Sequence, residues 1–103
     1  MNPESPIIRQ LFEQAESHYH RRVTRMQLKL RAIYFALFQE EAKAIASDTC
    51  VSREDAESIA ADRLEPFWKE TRHILHRVIA TEKCALARNK QMILAWARKQ
   101  GIL

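Results

Sequence analysis

The chain has 103 residues and a mass of 12.1 kDa, room for one domain with a single core. Apolar residues make up 47% and charged residues 29%, the composition of a folded protein rather than a disordered one. A single glycine and three prolines exclude β-sandwiches, barrels, Rossmann folds and glycine-based phosphate loops, all of which need glycine at tight turns. The net charge is +4.

The first element runs from about Pro6 to Ala46. Residues 7–65 contain neither Gly nor Pro, so nothing in that stretch breaks a helix except a run of short polar side chains. That run is Ser47-Asp48-Thr49-Cys50-Val51-Ser52, whose hydroxyls and carboxylate compete for backbone hydrogen bonds. Ser52 opens a variant capping box with Asp55 in the fourth place. Glu54, Asp55 and Glu57 add negative charge at the positive end of a helix dipole. A second, short helix is expected over 53–64. Pro66 suits a first helical turn, so a third helix is expected over 66–100. Gly101 takes the C-cap place after Arg98 and Lys99.

The expected fold is all-α. It is an elongated helical hairpin or bundle in which two long antiparallel helices, 6–46 and 66–100, are joined by the short one. All 103 residues form one domain.

On the first helix Tyr19, Val23, Met26, Leu30, Ile33 and Leu37 repeat at spacings of four and three, which predicts a heptad seam. Leu28, Phe35 and Phe38 point away from that seam, so residues 28–38 are apolar nearly all round. A helix of that kind is buried all round. Leu28, Phe35 and Phe38 are therefore candidate residues for self-association, as a homodimer, or for contact with a partner. On the third helix Phe67, Ile74, Val78, Ala85, Met92 and Trp96 form one edge of an apolar arc. Trp68, Leu75, Ile79, Leu86, Ile93 and Ala97 form the other, and Thr71, Glu82 and Asn89 lie between them.

Charge is segregated along the chain: −2 over residues 1–16, +5 over 17–39, −5 over 40–70 and +6 over 71–103. No acid interrupts residues 17–39. A hairpin centred on the short helix sets Arg22 level with Lys90 and Lys29 level with Lys83, and adjacent cations of this kind attract an anion. The candidate binding residues are accordingly Arg21, Arg22, Arg25, Lys29, Lys83 and Lys90. Two partners fit them: nucleic acid, held mainly through phosphate contacts, and an acidic protein surface.

Catalysis and metal binding are not expected. Glu70-x-x-His73-x-x-His76 is half of a di-iron helix-bundle signature, but there is no second Glu-x-x-His. Arg72 and Arg77 flank the histidines and repel a dication. No cofactor is implied. Cys50 and Cys84 show no metal-ligand spacing and read as buried or idle thiols in a reducing compartment. Residues 1–6 lack the basic and apolar regions of a secretory signal. The longest apolar run, 32–38, is far short of the roughly 20 residues of a membrane span. The sequence thus reads as a cytoplasmic, non-enzymatic basic helical protein. The first expectation is a nucleic-acid-associated accessory or regulatory factor, and the alternative is an adaptor or inhibitor of an acidic partner protein.

Overall fold

A computed structural model of the chain describes residues 5–103. Most of the segment read for a secretory signal lies outside the described residues. Two helices account for nearly everything else: α1, Pro6–Thr49, and α2, Arg53–Lys99. There is no strand among the described residues.

The turn between the helices is only Cys50, Val51 and Ser52. Cys50 takes the left-handed conformation, φ 57°, which reverses the chain just past the helix end, as a C-cap residue does. Thr49 donates its hydroxyl to the Ile45 carbonyl at 2.6 Å, satisfying one of the last carbonyls of α1. Ser52 caps α2: the Asp55 amide donates to Ser52 Oγ at 3.1 Å. At the far end Ile102 N–H donates to Ala97 C=O at 2.9 Å and Gly101 N–H to Arg98 C=O at 3.2 Å. With Gly101 at φ 73°, this is a Schellman cap.

The expected break at Pro66 does not occur. Pro66 lies inside α2, so the helices expected over 53–64 and 66–100 are one. Proline removes one amide donor and crowds the turn before it, a penalty of about 3 kcal/mol. Burial on both sides of it outweighs that penalty. Ala60 before it and Thr71 after it are almost completely buried, and Leu64 and Trp68 are half-buried. Pro66 itself is exposed and removes nothing from the core.

By its contacts the chain divides into two units. One is Met26–His76, the turn end. Its core is Ala42, Ile45, Ala56 and Ala60, with Phe38, Ala46 and Val51 packed against it. The small alanines let the two helix backbones approach next to a tight turn. Tyr34 meets Trp68, ring centroids 4.8 Å apart, and Arg63 donates to Glu41 at 2.8 Å.

The other unit takes Arg77–Leu103 with the chain up to Arg25. Ile8 and Ala97 are buried there. Lys90 Nζ donates to Glu16 Oε1 at 2.6 Å, and Arg22 pairs with Glu82 at 3.0 Å.

Two expectations about faces are revised. The seam holds through Tyr19, Val23, Met26 and Leu30, all half-buried. Beyond that the inward row is Tyr34, Phe38, Ala42 and Ile45, while Ile33 and Leu37 are exposed. An α-helix has 3.6 residues per turn, so a strict seven-residue repeat drifts by about 20° per heptad and leaves the facing helix. On α2 one edge of the arc turns inward and the other does so only at Val78 and Ala85, which are half-buried, while Phe67, Ile74, Met92 and Trp96 are exposed. Of the polar positions between the edges, Thr71 is buried and donates to the Phe67 carbonyl at 2.8 Å. Glu82 is ion-paired and Asn89 is exposed.

Candidate functional site

The basic candidates separate into paired and unpaired cations. Arg22 is tied to Glu82, whose side chain is 17% exposed, and Lys90 to Glu16. Lys90 also stands 5.4 Å from the Phe12 ring centroid, a cation–π distance. These are structural positions. The expected level of Arg22 beside Lys90 is not found: Arg22 meets Glu82, and Lys90 meets Glu16. The reason is the turn. A hairpin closing at residues 50–52 is in a different register from one closing around a short helix at 53–64. Opposite charges now face each other where like charges were expected.

Arg21, Arg25 and Lys83 are exposed in the unit that takes Arg77–Leu103 with the chain up to Arg25, and Lys29 is exposed in the turn-end unit. Arg21 and Arg25 are one turn apart on α1 and have no carboxylate partner among the described residues. Lys83 occupies a different flank of α2 from Glu82, the residue that Arg22 meets.

The apolar candidates stand out more clearly. Leu28 is 61% exposed and Phe35 59%, values far from those of core residues. The Phe35 and Phe38 ring centroids are 6.3 Å apart, and Phe38 also stacks on Tyr34 at 6.4 Å. Phe35 and Phe38 form one end of a groove of about 740 Å³ that continues over Ala42 and Ala46. Lys43, Arg53 and Glu57 stand at its border. Arg53 pairs with Glu57 at 3.1 Å on the surface of α2, and Lys43 has no carboxylate partner among the described residues. The groove exists because Ala42 and Ala46, one turn apart, are too small to fill the space beside the phenylalanines. Ala42, Lys43, Ala46 and Arg53 were not recognised from the sequence. Their signal was the alanine pair following the aromatic pair on one side of the helix, which only the corrected inward row makes legible.

No group of three or more His, Cys, Asp or Glu able to hold a metal ion exists among the described residues. His73 and His76 lie with Lys69 and Arg72 in a shallow depression on α2. Cys50 and Cys84 are free and exposed, so of the expected buried or idle thiols the buried alternative does not hold. No helix among the described residues is long and apolar enough to cross a membrane. Comparison with protein families, with characterised proteins and with solved structures finds no match.

Proposed function

We propose that the protein is a non-enzymatic adaptor or inhibitor that docks on another protein in a reducing compartment such as the cytoplasm. The observation that carries this is the Phe35–Phe38 groove. A large aromatic side chain exposed beside a second one, over an alanine floor, is an anchor-and-pocket arrangement of the kind that dominates protein interfaces. Its length along α1 suits the apolar face of an amphipathic helix laid into it. Lys43 at the border favours a partner helix with acidic flanks. Leu28, Phe35 and Phe38 are thus read as partner contacts.

The test is capture from the native host's lysate after nuclease treatment, at moderate salt, with the wild type, Phe35→Glu, Lys43→Glu and the double change Arg21→Glu/Arg25→Glu. A single retained protein, lost with Phe35→Glu and weakened with Lys43→Glu, supports the proposal. Retention unaffected by Phe35→Glu overturns it.

A second reading is favoured by Arg21 and Arg25, which are exposed and have no carboxylate partner among the described residues. It is the nucleic-acid-associated accessory factor, binding phosphate without sequence readout. In that case the double arginine change abolishes binding of a duplex while Phe35→Glu does not. The logarithm of affinity then falls linearly with the logarithm of salt concentration.

A further inference from the structure

We infer that the face of the turn-end unit opposite the aromatic groove is covered by a second copy of this chain. Ile33 and Leu37 on α1 are exposed, as are Phe67 and Ile74 on α2, although all four are core-type residues. Their placement follows from the helix period of about 100° per residue. The groove takes the flank of α1 that bears Phe35 and Phe38, and the flank of α2 that bears Arg53 and Glu57. Ile33 and Leu37 lie on the other flank of α1, and Phe67 and Ile74 on the other flank of α2. In an antiparallel pair, corresponding flanks lie on one side. The four residues therefore share one face. The Tyr34–Trp68 contact and the Arg63–Glu41 pair set the level: Leu37 lies beside Phe67, and Ile33 between Phe67 and Ile74.

One observation identifies the occupant.

It is charge. Lys29 and Glu40 border the strip on α1, on either side of Ile33 and Leu37, and both are exposed with no ion pair among the described residues. An antiparallel copy of α1 centred between Ile33 and Leu37 sets Ile33 against Leu37 of the partner subunit. It also brings Lys29 within one residue, about 1.5 Å along the axis, of the level of Glu40 of the partner subunit. The two-fold symmetry repeats that pair, so the face is complementary to itself, as an isologous interface must be. The product is a four-helix arrangement built from two hairpins. Its aromatic grooves stay open on the outside, so the inference does not rest on the groove's role.

Sedimentation and light scattering of the full chain across a concentration series test it, with circular dichroism of each variant as the check on folding. The wild type is expected to have twice the chain mass at micromolar concentration. Ile33→Glu/Phe67→Glu is expected to be a helical monomer, and Phe35→Glu to remain a dimer. Lys29→Glu and Glu40→Lys each weaken the dimer about tenfold, and the two together restore it, because reversing both ends of a symmetric pair recreates attraction. A wild-type monomer at high micromolar concentration overturns the inference. So does a dimer dissolved by Phe35→Glu and unaffected by Ile33→Glu/Phe67→Glu. A double reversal that restores nothing overturns the antiparallel pairing of α1.

Discussion

Lys90 reaches from α2 to Glu16 of α1 at 2.6 Å, and the same ammonium stands 5.4 Å from the centre of the Phe12 ring. The hydrogen bond from Lys90 and the charge of Lys90 hold the Glu16 carboxyl below its ordinary range, against the opposing effect of its partial burial. A carboxyl whose pKa is lowered by folding favours the fold in its ionised form. Its contribution is complete above the ordinary carboxylate range and disappears as pH falls through the lowered folded value. Glu16→Gln is therefore expected to lower Tm at pH 7, and the gap from wild type is expected to close as the pH drops below about 4. Thermal melts at both ends of that range decide it. A gap that stays constant with pH means the pair is not the source of the effect.

Arg22→Ala is expected to destabilise the chain by about 1 kcal/mol, because Glu82 is mostly covered and would lose its partner. Arg21→Ala and Arg25→Ala, exposed and without a carboxylate partner among the described residues, are expected to change stability by less than about 0.5 kcal/mol. Urea midpoints of the three variants make the comparison. Equal losses would show that the Arg22 pair has no special standing.

Replacing Pro66 by Ala restores an amide donor inside α2 and removes the ring from the preceding turn. The expected gain is about 1–3 kcal/mol, with unchanged helix content. Chemical denaturation measures it. A loss of stability would mean that residue 66 begins a helix, as its place in the sequence first indicates.

The two helix-end caps respond oppositely to substitution. Gly101→Ala forces a Cβ into a left-handed position, and nothing lies within 4 Å of that Cβ. The loss, about 1 kcal/mol, is purely conformational. Cys50 already carries that strain at φ 57°, so Cys50→Gly is expected to gain up to about 1 kcal/mol while eliminating an exposed thiol. Differential scanning calorimetry under reducing conditions reads both. A gain for Gly101→Ala, or a loss for Cys50→Gly, contradicts the assignment of the caps.

The helical class, the start at Arg53, the Ser52 cap and the Gly101 cap could all be read from the sequence, because each depends on residues within one or two turns. The register could not. Whether Pro66 separates two helices is decided by what Ala60, Leu64, Trp68 and Thr71 pack against, and that information lies on α1. The error then propagated. A turn assigned to the wrong residues put Arg22 opposite a lysine when its partner is Glu82. The seam failed at Ile33 for a related reason: heptad counting assumes supercoiled helices, and the inward row past Leu30 follows Tyr34 and Phe38. Leu28 and Phe35 are exposed, as their angle from the seam predicts, whereas Phe38 packs against the core cluster.

The three-residue turn also sets an order of assembly. Arg63 and Glu41 are separated by 22 residues, Lys90 and Glu16 by 74. Closing the longer loop directly costs about 1 kcal/mol more in chain entropy. Pairing is therefore expected to begin at the alanine cluster beside Cys50 and to advance toward the two helix ends, each contact shortening the loop for the next. Substitutions at Ala42 or Ala60 are expected to slow folding, whereas those near Ile8 or Ala97 hasten unfolding. A ribosome releasing this chain exposes α1 in full before any of α2 can meet it. The residues that first turn back on it are those immediately after the bend.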